Sequence, residues 1–327
     1  MTTLHFERAL IAEGWASNVR VRIDGATIAS VEREAAHQAG DLRCGIGVPA
    51  IGNLHSHAFQ RAFAGLTEKR GETSDSFWTW RDAMYRLALA ATPDDVEAIA
   101  AQAYVEMLEA GYGAVAEFHY LHHDLSGAPY ANRAEMAERI GAAAAETGIG
   151  LTLLPVFYAH AGFGGAPARA EQRRFVNTLD SYAALIADCR QALGLAVRIG
   201  AAPHSLRAVT PEELAGVVAL VADAPIHIHI AEQIGEVEAC LAWSGARPVR
   251  WLFDHAELDA RWCLVHATHL DEGEVLALAV AVAEKHGLGK RALSNFDCFH
   301  YAYAKAVGAP MLTLDRRLRA TDVATRP

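Results

Sequence analysis

The stretch Pro49-Ala-Ile-Gly-Asn-Leu-His-Ser-His57 constrains this chain more than any other. It reads as a buried strand that ends in two histidines one residue apart. Side chains alternate along a strand, so His55 and His57 project to the same side. Two imidazoles converging at a strand end make half of a zinc site. Burying two polar rings at the end of an apolar strand is costly unless something binds them. The spacing alone is weak evidence, because with 16 His in 327 residues about one such pair arises by chance. The argument therefore rests on what surrounds the pair.

A chain of 327 residues can hold one large α/β barrel or two ordinary domains. Its 52% hydrophobic and 21% charged residues are those of a soluble globular protein. The net charge of −10 argues against a nucleic-acid-binding surface. An acidic substrate stays open, because local arginine placement matters more than the total. The five cysteines (Cys44, Cys189, Cys240, Cys263, Cys298) are scattered and odd in number, which fits free thiols in a reducing cytoplasm. Met1-Thr-Thr-Leu-His-Phe-Glu-Arg8 lacks a basic start followed by an apolar run, so no signal peptide is expected. The Ala-rich segments are broken by charges, so no membrane span is expected either.

Residues 1–45 read as short β pieces. Ala16–Asp24 alternates apolar and polar and turns at Asp24-Gly25, and Ile28–Arg33 continues the pattern, as in a small antiparallel sheet. From about residue 46 the rhythm becomes apolar strand, loop, amphipathic helix. Strands are predicted at Val48–Leu54, Ala114–Phe118, Gly150–Phe157, Val197–Ala202, Ile226–Ile230 and Trp262–Val265. Thr92-Pro-Asp-Asp95 and Thr210-Pro-Glu-Glu213 are helix starts, each with a capping Thr, a Pro at the first position and an acid three residues on. Gly111 and Gly148 mark helix ends. Repeated strand–helix units imply a parallel sheet with helices outside. Polar residues at the carboxyl end of nearly every strand favour a barrel over an open sheet.

Those polar residues form a constellation. In Ile226-His-Ile-His-Ile-Ala-Glu-Gln233 the isoleucines face one way and His227 and His229 the other. His229 lies nearer the barrel mouth, and Glu232 follows just past the strand. His227 reads as a packed, hydrogen-bonded core histidine. His266 ends another strand, Pro203-His-Ser-Leu-Arg207 adds His204 and Arg207, and Glu117-Phe-His-Tyr120 closes an earlier strand. His119, His122 and His123 read as loop or supporting residues. Neutral imidazoles on Zn²⁺ with an open position lower the pKa of bound water to roughly 7. Such water attacks the carbon of an amide, amidine or imine. Glu232 is placed to move protons and His266 to polarise the electrophile or help activate the water. The chemistry read from these residues is metal-dependent hydrolysis of a C–N bond.

Several long motifs carry a resemblance in the right order. Asn53-Leu-His-Ser-His-Ala-Phe-Gln-Arg-Ala-Phe-Ala-Gly-Leu-Thr-Glu68, Phe77-Trp-Thr-Trp-Arg81, Glu117-Phe-His-Tyr120, Gln172-Arg-Arg-Phe175 and His227-Ile-His-Ile-Ala-Glu-Gln233 resemble the formimidoylglutamate deiminases of the amidohydrolase superfamily. The resemblance covers roughly residues 1–279. It implies a TIM-type (β/α)₈ barrel with a small β-sandwich part. It implies one zinc ion held by His55, His57, His229 and an Asp at the end of the last barrel strand. Glu232 and His266 would share in proton transfer, and Gln60, Arg81, Tyr120, His204 and Arg207 would hold the substrate. Two arginines suit two carboxylates, each gripped in bidentate fashion. The implied reaction converts N-formimidoyl-L-glutamate and water to N-formyl-L-glutamate and ammonia, a step of histidine degradation in the cytoplasm. The expected partners are a small dicarboxylate substrate and at most a second copy of the chain, with neither nucleic acid nor membrane.

After Leu278-Ala279 the family pattern stops. No Gly-Ser-Asp-Ser-His-like run that would supply the last metal ligand follows. Residues 280–323 resemble instead the carboxyl-terminal end of a PIN-domain toxin ribonuclease, with Asp297 opening a helix and Asp315 ending the strand at 311–314. The expected organisation is therefore 1–45 β-sandwich part, 46–279 barrel lacking its last two strands, and 280–327 PIN-like fragment. Two further readings follow: an inactive product of a fused or truncated reading frame, and a PIN-type ribonuclease. The absence of half of the acid cluster and the net charge of −10 speak against the last.

Overall fold

The structure, a computed structural model, describes residues 1–25, 27–65, 84–278, 311–312 and 325–326. It divides into two compact units, Met1–Gly52 with Gly111–Gly113, and the remainder.

The first unit is built on β1 (Thr2–Ile11), β2 (Gly14–Asp24), β3 (Thr27–Glu32) and β4 (Leu42–Gly47), in the order β3-β2-β1-β4. The predicted turn at Asp24-Gly25 joins β2 to β3 in an antiparallel pair, and β1 also pairs antiparallel with β2 (Thr2 opposite Ile23). The sheet is mixed and not purely antiparallel, because β4 joins β1 in parallel (Leu4 beside Leu42). Asp41, just before β4, accepts both prongs of the Arg20 guanidinium at 2.9 and 3.0 Å.

The second unit is a consecutively wound parallel α/β wall. Its strands are β5 (Ile51–Ser56) and β6 (Tyr112–His119), each with its first two residues counted in the first unit, and β7 (Gly150–Phe157), followed by a short hairpin, β8 (His160–Gly162) with β9 (Ala166–Pro167). Then come β10 (Arg198–Ile199), β11 (Ala202–Pro203), β12 (Ile226–Ile230) and β13 (Trp262–His266). The order is β10-β7-β6-β5, with β11 also on β7. Bridges Ala201–Ile226 and Ser205–His229 carry the wall on to β12, which pairs in parallel with β13. Six successive strand positions in chain order, joined by helices, are the arc of a β/α barrel.

The helices follow the capping chemistry. Thr92 and Thr210 form full capping boxes with Asp95 and Glu213 at the starts of α1 (Pro93–Glu109) and α4 (Pro211–Ala219). α2 (Glu135–Thr147) ends on Gly148, whose φ of +82° suits glycine. α3 (Leu179–Leu193) packs Tyr182, Leu185 and Ile186 inward, and the Tyr182 hydroxyl donates to the Pro155 carbonyl at 2.7 Å. α5 (Ile234–Ser244) and α6 (Pro248–His255) complete the outer layer. Among the described residues no helix is long and apolar enough to cross a membrane.

Two expectations need correcting. The first strand is not buried: Ile51 and Leu54 are 63% and 64% exposed, because β5 is an edge of the sheet among the described residues. The fourth strand is split into β10 and β11 around Gly200 and Ala201. There Gly200 N–H donates to Leu153 O (2.9 Å), and Ala201 N–H donates to Pro225 O (3.0 Å). Of the tail, Met311–Leu312 forms a two-residue strand, β14, parallel to Thr325–Arg326, β15. The expected loss of the last two barrel strands, the PIN-like helix, Asp297 and Asp315 all concern residues outside the described ones.

The loop after β6 is sealed by a buried network. Arg174 is fully buried with no carboxylate partner among the described residues, and it donates to the carbonyls of Ala88, Ala91 and His123 at 2.5–2.8 Å. Its charge sits at the end of the helical stretch 84–88, where carbonyl dipoles favour a cation. His122 and His123 contact the carbonyls of Val156 and Val176 through Nε2 at 2.9 and 2.8 Å.

Two outcomes follow. At Gly200 a Cβ would meet the Pro225 carbonyl O at 2.4 Å and Leu154 Cδ2 at 2.6 Å. Gly200→Ala should therefore lower stability by about 1–3 kcal/mol, the usual cost of overpacking, read as a drop in Tm. Burial pushes His119 down to about 4 and His122 well below the ordinary imidazole range. In the unfolded chain both titrate near 6.5, so below that pH the unfolded state binds more protons and stability is lost as pH falls. Thermal melts from pH 7 to 4 should show a shallower decline in His122→Gln than in the parent. An equal slope would remove His122 from the acid response.

Candidate active site and metal centre

At the carboxyl end of the wall three imidazoles meet. Nε2 of His55 lies 2.9 Å from Nε2 of His57 and 3.1 Å from Nε2 of His229, and the last two are 3.2 Å apart. These residues are separated by up to 174 positions and come together because β5 and β12 both end at this mouth. Hydrogen atoms cannot satisfy such a triangle. Each Nε2 either carries a hydrogen or offers a lone pair, and around a ring of three the two roles cannot alternate. A cation that accepts all three lone pairs removes the conflict. Nitrogens held tetrahedrally at about 2.0–2.1 Å from zinc would lie roughly 3.3 Å apart, close to the spacing found.

The surroundings favour neutral rings. His57 Nδ1 is 3.0 Å from the Phe118 carbonyl O, which can only accept, so Nδ1 carries the hydrogen and Nε2 presents its lone pair. The Phe118 ring packs 4.3–5.2 Å from all three imidazoles, centroid to centroid. Burial, reinforced by neighbouring imidazoles, pushes His55 down to about 2, and burial pushes His57 down to about 4 and His229 well below its usual range. His55 Nδ1 has no hydrogen-bond partner among the described residues.

A fourth imidazole stands beside the triangle. A ring nitrogen of His266 lies with those of His55 and His229 in a group spanning no more than 4.8 Å. His266 Nε2 is also 3.7 Å from Glu232 Oε1. His266 is exposed, and its φ of +69° turns the chain sharply as β13 ends. The carboxylate contacting this cluster, among the described residues, is Glu232. An aspartate ligand after an eighth strand would fall outside the described residues.

The imidazoles open into a cavity of about 260 Å³. Gln60, Tyr120, His204, Arg207, Glu232 and His266, all named from the sequence, line it together with the triangle. Gln60 stands on the 3₁₀ turn Ala58–Phe63 that follows His57. His204 packs against Tyr120 and Tyr158 at 5.4 and 4.7 Å, and its Nδ1 contacts Ser205 Oγ at 3.0 Å. Arg207 Nε is buried without a hydrogen-bond partner among the described residues. Arg81 lies outside the described residues. His227 is buried but outside the triangle. It is not the satisfied core histidine expected, since its Nδ1 has no partner among the described residues.

Sequence reasoning missed part of the wall. Arg169 and Gln172 line the cavity. The Gln172 side-chain oxygen accepts the Arg169 backbone N–H at 2.8 Å, an obligatory donor, which orients the amide. Its nitrogen therefore donates to the Tyr158 and Tyr85 hydroxyls at 2.6 and 3.1 Å. Gln172 belongs to a quoted motif, but nothing in its spacing ties it to those tyrosines. Glu117 is the other omission. It is buried, is pushed up to about 7 by that burial, and accepts the Ala58 N–H at 2.7 Å, which holds the turn after His57. An acid inside an apolar strand was the available signal.

Removing one corner of the triangle should abolish metal retention. After loading with zinc and dialysis, His55→Ala, His57→Ala and His229→Ala should each fall to background zinc by elemental analysis, while His227→Ala retains the parent level. Retention in all three corner variants would dissolve the centre.

Comparison with known proteins agrees with the fold. Residues 46–311 match the family model "Amidohydrolase family", and residues 1–45 match "Formimidoylglutamate deiminase HutF, N-terminal domain". The formimidoylglutamate deiminase of Pseudomonas aeruginosa is 54% identical over 282 residues, which are 85% of this chain and 62% of that protein. An 8-oxoguanine deaminase of the same organism is 28% identical and overlaps 72% of this chain and 51% of its own length. The chain thus spans between about half and three fifths of these relatives. The crystal structure of an amidohydrolase from Brucella melitensis superposes with a TM-score of 0.83 at 55% identity, over 86% of this chain and 63% of that one. An atrazine chlorohydrolase from Arthrobacter aurescens, complexed with zinc and atraton, shares the fold (TM-score 0.68, 19% identity, 86% and 64% covered). With its parallel wall, its strand-end imidazoles and a family match over most of its length, this chain belongs to the amidohydrolase family.

Proposed function

We propose that the site binds one zinc ion and hydrolyses N-formimidoyl-L-glutamate to N-formyl-L-glutamate and ammonia, in the cytoplasm. The observation that carries this reading is a cavity that joins the imidazole triangle to Arg207, whose Nε is buried without a hydrogen-bond partner among the described residues. The 54% identical relative bears the name of that activity, and the atrazine chlorohydrolase of the same fold is complexed with zinc.

His55, His57 and His229 would hold the ion. When bound, zinc supplies Lewis acidity and lowers the pKa of water toward neutrality. The remaining work falls to this chain. Glu232 Oε1, 3.7 Å from His266 Nε2, takes and returns a proton, and the amidine nitrogen needs one to leave as ammonia. His266 offers a hydrogen to the oxygen that develops on the reacting carbon. Arg207 pairs with one carboxylate through its planar fork. Arg169, on the same wall, is the described arginine available for a second carboxylate. Tyr120, His204 and Gln60 complete the lining and orient the amidine.

Ammonia release from N-formimidoyl-L-glutamate by the zinc-loaded protein tests the proposal. Arg207→Ala should raise KM for this substrate about tenfold to a hundredfold, the loss of roughly 1.5–3 kcal/mol for a charge-assisted hydrogen bond, with far less effect on an uncharged formamidine. Equal losses on both would reject Arg207 as a carboxylate clamp. Background turnover with intact binding of N-formyl-L-glutamate would mean a dicarboxylate site without catalysis, as the reading of the tail anticipates. Neither binding nor turnover would overturn the function.

A further inference from the structure

The turn after β12 contains a strained residue that the catalytic reading leaves without a cause. Ala231 has φ +51°, a left-handed conformation unfavourable for a side chain with a Cβ. Such a conformation persists when its surroundings over-determine it, and here two clamps do so. On one side the Ala231 carbonyl accepts the His269 N–H at 2.9 Å and the Ile230 carbonyl accepts the Ala267 N–H at 2.9 Å. These bonds tie the turn to the end of β13, where His266 and Ala267 are also left-handed at +69° and +47°. On the other side both backbone N–H groups of the turn point at one carboxylate. Ala231 donates to Glu236 Oε1 at 3.3 Å and Glu232 donates to Glu236 Oε2 at 3.1 Å.

Glu236 stands in the first turn of α5 and is only 5% exposed. A buried carboxylate is costly unless it is paired or hydrogen-bonded, and an apolar residue would otherwise fill this position. Burial raises its pKa above the ordinary carboxylate value, and the nearby charge of Arg207 and the turn's two N–H groups oppose that shift. Among the described residues it makes no hydrogen bond to any imidazole. Its contacts therefore run to the backbone that carries Glu232.

We infer that Glu236 is a positioning residue whose carboxylate holds the Ala231–Glu232 turn in its left-handed form, so that the Glu232 side chain faces His266 and the cavity. The consequence for catalysis rests on the proposed role of Glu232; the clamp on the turn does not. Aspartate is one methylene too short to span both donors. Glutamine keeps the size but presents an NH₂ group, which cannot accept, to one of them.

Glu236→Gln tests this by hydrogen exchange, zinc content and kinetics together, with Val237→Ala as control. Val237 is equally buried on the same helix and has no contact with the turn's N–H groups, so its truncation weakens α5 without touching the clamp. The amides of residues 231 and 232 should exchange at least about tenfold faster in Glu236→Gln and at the parent rate in Val237→Ala. Zinc content should match the parent in both. For N-formimidoyl-L-glutamate, kcat should fall about ten- to a hundredfold in Glu236→Gln, the scale of a misplaced catalytic group, with KM within about twofold. If Glu236→Gln does not fold, Glu236→Asp, which keeps the charge, carries the same comparison. Parent-like exchange at 231 and 232 would overturn the inference, as would a Val237→Ala variant that reproduces the kcat loss. A parent protein that releases no ammonia would defeat the functional proposal, and the exchange rates would still decide the role of Glu236.

Discussion

Three imidazole nitrogens at 2.9–3.2 Å from one another set the terms for the rest of the second unit. Neutral imidazoles do not gather this way for their own benefit, since a ring of three cannot be satisfied by protons. Holding them together demands that β5 and β12 end at the same level, with β6, β7, β10 and β11 between them in register. A consecutively wound parallel wall meets that demand, because every strand carries its carboxyl end to the same face.

The cost of the arrangement is visible at that face. Left-handed residues occur where β12 and β13 end, at Ala231, His266 and Ala267. Burial beside Phe118 favours neutral imidazoles, the state a metal needs, and among the described residues His55 Nδ1 has no hydrogen-bond partner. Two buried acids support the turns from behind: Glu117 holds the chain after His57, and Glu236 holds the chain before Glu232. Each lies on the element adjoining the turn it fixes, so local packing and site geometry reinforce one another.

Another part of the cavity lining is built differently. Gln172 ties Arg169, Tyr85 and Tyr158 into one surface, and Arg174 anchors the stretch 84–91 beside it through carbonyl contacts. A cation with no carboxylate partner among the described residues is tolerated there because several carbonyl oxygens take its hydrogens. The imidazole part of the lining is thus held by strands, and the part around Gln172 by a side-chain network. The imidazole cluster and two arginines, Arg169 and Arg207, line one cavity of about 260 Å³.

The sequence by itself determined what depends on near neighbours. It settled the shared side of His55 and His57, the outward isoleucines of β12, the Thr-capped helix starts and the glycine helix ends, because strand alternation and capping are local rules. The first strand misled that reading, since Ile51 and Leu54 are apolar yet exposed at an edge. The break of the fourth strand at Gly200 depends on a carbonyl of Pro225 twenty-five residues away and leaves no periodic trace. Only the tertiary structure decided which of the histidines meet, that His227 stays out of the triangle although it shares a strand with His229, and that Gln172 and Arg169 reach the cavity. Only it showed that Glu236 reaches back to an alanine at φ +51°. Periodicity tells which side of a strand a group faces, while distance to a group on another strand depends on strand order, stagger and twist, which no short window of sequence contains.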